Sequence, residues 1–177
     1  DENGSPAFEK IGNQNADFRV GLTSTFTYKS FSFYMLWDWK QGGDVYNKNG
    51  QWNTIAKRNV IVDQTGKPAD EKKTVSYYES LYDTNNYTSF WVEDGSYVKL
   101  REVSLAYSIP KDIIKNIGFF EDIKISIIGR NLLTFSDYKG WDPEVQSYDG
   151  STQQYFAVDY GVYPNQSSYS MSVQFKF

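Results

Sequence analysis

The chain contains no cysteine and no histidine among its 177 residues. Without them a Ser-His-Asp triad, a Cys-His pair and the usual zinc and copper sites are excluded within it. A disulfide framework is excluded too, a condition shared by bacterial envelope and cytosolic proteins. No apolar run reaches the ~18 residues of a transmembrane helix. Basic residues are in the minority, and the net charge of −4 gives no electrostatic footprint for nucleic acid. Phosphate loops and dinucleotide fingerprints are also missing.

What is abundant is aromatic: 15 Tyr, 12 Phe and 5 Trp, 18% of the chain, beside a mean hydropathy of −0.60. These rings lie among Ser, Thr, Asn, Gln and Gly, a mixture typical of β structure apolar on one face and polar on the other. A transmembrane barrel remains open, because its alternating strands never look hydropathic. The chain begins at Asp1 with no signal peptide or lipidation motif, and is read as an excerpt of a longer protein.

Period-2 alternation is the main signal. Phe18, Val20, Leu22, Phe26 and Tyr28 oppose Arg19, Gly21, Thr23, Thr25 and Thr27. After a tight break at Lys29-Ser30, Phe31, Phe33, Met35, Trp37 and Trp39 oppose Ser32, Tyr34, Leu36, Asp38 and Lys40. A third run sets Val103, Leu105 and Tyr107 against Glu102, Ser104 and Ala106. Lys99 and Arg101 share the parity of its apolar set, so they are expected at a polar boundary. The fourth sets Ile123, Ile125, Ile127 and Gly129 against Lys124, Ser126, Ile128 and Arg130. The fifth sets Tyr169, Met171, Val173, Phe175 and Phe177 against Ser170, Ser172, Gln174 and Lys176.

The connections alternate in length. The tight turn and the stretch Ile109–Glu121, which reads as one helical turn started by Pro110, are short. Those spanning 42–96 and 134–167 are long. Up-and-down membrane barrels have this asymmetry, with short periplasmic turns and long extracellular loops. Aromatics gather toward both strand ends. From Phe31 to Trp39 the rise is about 19 Å at a tilt of ~45°, a little less than the ~25 Å apolar band of such barrels. Charge fixes the orientation. With the apolar parity outward, Arg19, Asp38, Glu102, Lys124 and Arg130 all face inward, whereas the opposite parity would push them into lipid.

The stretch WVEDGSYVKLREVSLAYSIPK, followed by ISIIGRNLLTFSDYKGWDPE, closely resembles the last strands of the SusC/RagA family of TonB-linked outer-membrane transporters from Bacteroidetes. The matching positions are Gly95-Ser96-Tyr97, Leu100-Arg101, Leu105-Ala106-Tyr107, Pro110, Asn131-Leu132, Thr134, Tyr138 and Asp142-Pro143-Glu144. Upstream YKSFSF and GGDVYN, and downstream VYPNQSSYSMSVQFKF, extend the resemblance over nearly everything from about Ala16 onward. It implies an all-β fold: five antiparallel strands forming the C-terminal part of a large transmembrane β-barrel, roughly 22-stranded with a plugged lumen. The strands are expected at about 18–28, 31–41, 97–108, 122–133 and 168–177, with the plug domain absent. The resemblance further implies import of an oligomeric nutrient, glycan or peptide, at the bacterial outer membrane. Its implied partners are a SusD-like lipoprotein lid, a TonB complex acting through the absent N-terminal region, the barrel assembly machinery and outer-membrane lipid. Nucleic acid is not among them.

Val173, Phe175 and Phe177 look like the signal read by the barrel insertion machinery; the plain alternative is an ordinary apolar last strand. Carboxylates at Glu93-Asp94, Asp142, Glu144 and Asp149 show no spacing for a glycosidase pair and no EF-hand loop. Neither catalysis, a metal nor a cofactor is expected. Loop aromatics, foremost Trp52, Tyr87, Trp141, Tyr148 and Tyr155, are expected to touch substrate or lid, the alternative being packing of the loops on one another. Asn-x-Ser/Thr triplets at Asn3, Asn86 and Asn165 suit polar loops and carry no further weight. The rival reading is a soluble secreted β-sandwich that binds carbohydrate, whose apolar face would pack on a second sheet within the chain.

Extraction of the intact protein from membranes separates these readings. A detergent-soluble outer-membrane species whose gel mobility shifts on boiling is expected; recovery as a soluble secreted protein with no shift would favour the sandwich.

Overall fold

In the computed structural model, which describes residues 9–81, 88–115, 118–148 and 154–177, the alternating segments form long strands. In chain order the strands are β1 Ala16–Tyr28, β2 Phe31–Gly42, β3 Asp44–Tyr46, β4 Val92–Asp94, β5 Tyr97–Ser108, β6 Asp122–Phe135, β7 Gln146–Tyr148, β8 Gln154–Phe156 and β9 Ser168–Lys176. Among the described residues three short α-helices lie between them: α1 Lys48–Ile55, α2 Val75–Ser80 and α3 Lys111–Ile114. The five long strands make one sheet in the order β1-β2-β5-β6-β9. Its neighbours β2/β5, β5/β6 and β6/β9 are antiparallel. The five long strands and the two long connections fall into separate bodies.

Because strand side chains alternate in direction, a fixed register converts each sequence pattern into rows across the sheet. Phe31, Tyr107, Ile125 and Val173 share one row; Phe33, Leu105, Ile127 and Met171 the next; Met35, Val103, Gly129 and Tyr169 a third. The intervening rows are polar, for example Ser32, Ala106, Ser126 and Ser172. The apolar rows are open: Phe26 and Ile127 are each 59% exposed and Met171 is 67% exposed. Among the described residues these rows are not buried as a sandwich would require. An apolar face of this extent is unfavourable in water and is matched to lipid.

The register is not uniform. Leu36 lies opposite Glu102 but Trp37 lies opposite Leu100, so Arg101 is an extra residue in β5. β6 answers with Asn131 and Leu132 between the partners of Glu102 and Leu100, and Asn131 takes a left-handed φ of 52°. A bulge of this kind resets side-chain parity. Val98 and Leu100 therefore continue the apolar rows of Trp39/Phe135 and Trp37/Leu133. Lys99 pairs with Asp38 and Thr134 on the polar face. This corrects the expectation from strict alternation that Lys99 and Arg101 share the side of Val103, Leu105 and Tyr107. Gly129 belongs to the same device: a Cβ there would meet the Leu132 side chain at 3.0 Å.

The redirected charges are paired. Arg101 donates from Nε (3.0 Å) and Nη2 (2.5 Å) to Asp38 Oδ2. Lys99 Nζ, the Arg101 guanidinium and Lys40 Nζ lie 5.0, 5.6 and 6.0 Å from the centroid of the Tyr97 ring, within cation–π range. Arg130 Nε donates to Glu102 Oε2 at 2.8 Å across the β5/β6 pair.

The tight turn places Lys29 at a φ of 52°. In the other short connection Pro110 precedes α3, and buried Ile114 anchors the turn. Phe120 then packs against Phe175 and Phe177, both at 5.2 Å between centroids.

The row containing Val103 lies midway between those of Phe31 and Trp39. Val103→Lys is expected to cost the intact barrel roughly 2–4 kcal/mol in lipid vesicles, measured by denaturant titration. Ser104→Lys, one residue along and on the polar face, is expected to leave the midpoint nearly unchanged.

Candidate functional site

The second body is built from residues 42–96 and 137–164 together with the segment before β1. Its backbone knits the two long connections together. β3 pairs antiparallel with β4 on one side. On its other side the Tyr46 N–H donates to the Ala157 carbonyl at 2.8 Å, and the Asp159 N–H to the Tyr46 carbonyl at 2.9 Å. α1 starts directly after β3 because Asn47 is a good N-cap: its Oδ1 accepts the Gly50 N–H at 2.6 Å. That helix buries Gln51 and Thr54 completely, Gln51 Oε1 accepting the Tyr46 hydroxyl at 3.1 Å.

A small apolar core of Val45, Tyr138 and Val145, with Val162 packed on it, lies below a polar network. Asp159, 1% exposed, is its hub. Asp159 Oδ2 accepts the Tyr138 hydroxyl at 2.8 Å and Oδ1 accepts the Asn49 amide at 2.7 Å. Asn49 Oδ1 in turn accepts the Gly161 N–H at 3.0 Å. Glu93 bridges the Asn47 side-chain amide at 2.9 Å and the Lys139 N–H at 2.8 Å. Gly140 is required beside this network, since a Cβ would clash with Tyr138 Cε1, Cζ and the hydroxyl oxygen.

Burial is the main cause that raises the Asp159 carboxyl above its ordinary 3.8; the hydrogen bonds from Tyr138 and Asn49 oppose it without cancelling it. Burial first, then the neighbouring Asp159 charge, pushes the Tyr138 phenol well above its usual range. The proton therefore stays on Tyr138, and the phenol remains a donor.

Above the network opens a cleft of about 740 Å³ within this body. Asn49, Glu93 and Asp159 contribute to its wall, and Trp141, Phe90 and Tyr163 to its rim. The rim rings are exposed, Trp141 at 73% and Tyr163 at 86%. The amides and carboxylates of the wall hold the loops in shape, while the rim presents exposed apolar faces and donors.

Of the residues expected to touch substrate or lid whose side chains are described, Trp52 and Trp141, only Trp141 lines this cleft. Trp52 projects from α1, 45% exposed, and packs against Tyr160 with centroids 5.9 Å apart. Tyr148 and Tyr155 fall on the β7/β8 pair, where Ser147 lies opposite Tyr155. Their side chains, like Tyr87, lie outside the described residues. Val173 stands opposite Ile125, Phe175 opposite Ile123, and Phe177 against the Phe119 and Phe120 rings. Asp142 spends Oδ1 on the Glu144 N–H at 2.9 Å. Among the described residues no three acidic groups converge on a cation site, and Asp149 lies outside them. Arg58, Lys139 and Tyr163, which also line the cleft, carry no signal in the sequence. Nor do Asn49 and Asp159.

An apolar outer face, a charged inner face and long connections at one end of the strands define a piece of the wall of a large transmembrane β-barrel. No protein-family model matches the chain. Three receptors of Formosa agariphila do, each over 94% of the chain: TonB-dependent receptor P3 at 30% identity over 170 residues, P39 at 25% and P26 at 27% over 175. The chain spans 17% of P3 and of P39 and 18% of P26. Its fold matches the RagAB peptide importer in the open-open state with a TM-score of 0.64 at 18% identity, over 90% of this chain and 17% of that one. A RagAB peptide transporter structure matches at 0.63 and 19% identity, over 85% and 16%. In sequence the chain resembles TonB-dependent receptors over 94% of its length, and its fold matches part of the RagAB importer chains.

The raised Asp159 carboxyl gives the loop body a pH dependence. The folded state holds this proton more tightly than an unfolded chain does, so the stabilisation is complete below about 3.8 and is lost as pH rises through the raised native value. Opening free energies from hydrogen exchange, corrected for intrinsic rates, should fall over that interval for residues 157–161 in the intact protein. Asp159→Asn should abolish the dependence.

Proposed function

We propose that this chain supplies barrel wall and extracellular loops to an outer-membrane importer of oligomeric nutrients, glycan or peptide. In this reading the apolar rows of Phe31, Phe33 and Met35 face outer-membrane lipid. The Ser-rich and charged rows line the lumen, where Arg101–Asp38 and Arg130–Glu102 remain ion-paired without meeting hydrocarbon. The short turns are periplasmic and the knitted loop body lies outside the cell. There it meets substrate beneath a SusD-like lipoprotein lid. Release into the periplasm is driven by a TonB complex acting on a plug held elsewhere in the receptor. The barrel assembly machinery inserts the wall, reading Val173, Phe175 and Phe177.

The observation that carries this is the pairing of exposed apolar rows with a charged opposite face, over a chain that aligns along 94% of its length with TonB-dependent receptors. The wall and the loop cleft have the form of binding surfaces rather than catalytic ones. The carboxylates that line the cleft, Glu93 and Asp159, have both oxygens occupied by structural donors, and we infer that the segment has no enzymatic activity.

Deletion of the receptor from its host is expected to abolish growth on one class of oligosaccharide or peptide. Wild-type receptor should restore that growth, but not in a strain with a disrupted TonB complex. Unchanged uptake of every oligomer tested, with the receptor gone, would overturn the reading.

A further inference from the structure

We propose that the loop cleft takes an acidic oligosaccharide, a saccharide carrying carboxylate or sulfate groups. This deepens the import reading above and rests on it. The basis is a census of which polar groups around the cleft are already engaged.

Most side-chain acceptors around the cleft are taken. Glu93 gives one carboxylate oxygen to the Asn47 amide and the other to the Lys139 N–H. Asp159 gives its two to Tyr138 and Asn49. Asn59 Oδ1 accepts the Ile61 N–H, and Asn49 Oδ1 the Gly161 N–H. The groups left without a side-chain partner among the described residues are mostly donors: the Arg58 guanidinium, the Lys139 ammonium, the Trp141 indole N–H and the Tyr163 hydroxyl. Two of these four are cations. A ligand that satisfies them must be rich in acceptors and, at the cations, negatively charged.

The rim selects a ring over an extended chain. Trp141, Phe90 and Tyr163 present exposed flat faces, which suit the apolar faces of sugar rings, while the donors around them supply orientation. A peptide bound by strand addition would need an open strand edge. β3, at the base of this body, is already hydrogen-bonded on both sides, to β4 and to residues 157–159. β3 therefore offers an acidic peptide no backbone ladder, whereas saccharide acids keep both the stacking and the charge contacts.

The test is titration calorimetry on the purified intact receptor, which needs neither energised membrane nor lid. The probes are an oligogalacturonate and a sulfated oligogalactan, each beside its carboxyl-reduced or desulfated form, and an oligoglutamate of matched charge. At least one acidic saccharide should bind and should weaken roughly tenfold when its acidic groups are removed. The Arg58→Gln/Lys139→Gln double variant should weaken it by a similar factor, and Trp141→Ala more than Lys72→Gln outside the cleft. Each variant should still shift on boiling, which keeps folding out of the comparison. Discrimination by only the carboxylated or only the sulfated probe identifies which acid is read. The proposal is overturned if neither acidic saccharide binds, if the neutral forms bind equally, if the oligoglutamate binds best, or if the double variant binds as well as wild type. Binding that survives while deletion leaves uptake unchanged would sink the import reading alone; import of a neutral glycan or a peptide would sink this inference alone.

Discussion

Every backbone N–H and C=O that crosses hydrocarbon must be paired within the protein, because lipid offers no substitute partner. The five-stranded sheet meets this with antiparallel ladders, and most of its other features follow. Once the ladders fix the register, the only freedom left to each side chain is which face it joins. The energetics then sort residues by face: Phe, Ile, Leu, Met and Val on one, Ser, Thr and charge on the other. Asp38, Lys99, Arg101, Glu102 and Arg130 cluster where they find one another rather than lipid.

The bulge at Arg101 shows what that sorting demands. Strict alternation from Val103 back to Tyr97 would direct Lys99 and Arg101 outward. One extra residue in β5, answered by Asn131 and Leu132 in β6, reverses the parity. Leu100 and Val98 then continue the apolar rows, and both cations turn toward Asp38 and the Tyr97 ring. The adjustment places Asn131 in a left-handed conformation, a modest local penalty compared with two cations facing hydrocarbon.

The loop body is stabilised differently. Its apolar core is small, and a hydrogen-bonded framework around Asp159 and Glu93 joins segments that are far apart in sequence. Such networks specify one arrangement because any partner removed leaves a buried polar group unsatisfied. The framework absorbs most of the acceptors and leaves donors and aromatic faces at the cleft.

Much of this was legible in the residue order. Period-2 alternation revealed the strands, their apolar parity and the alternation of short and long connections, because strand geometry imposes its period directly on the sequence. Pro110 marked the short helix for an equally local reason. The bulge was not legible, since its cause lies across the sheet, in the need of Lys99 and Arg101 for Asp38. The cleft was hardly legible either: Trp141 stood out as a loop aromatic, but Asn49, Arg58, Lys139 and Asp159 did not. They come from connections separated by dozens of residues and acquire meaning only when β3 brings those connections together. The sequence by itself thus determined the strands, the two faces and the membrane as solvent, which are properties of local period and side-chain polarity. Only the tertiary structure decided which charges pair, which carboxylates are consumed internally and which donors face outward, because those depend on distances between residues that the chain order does not contain.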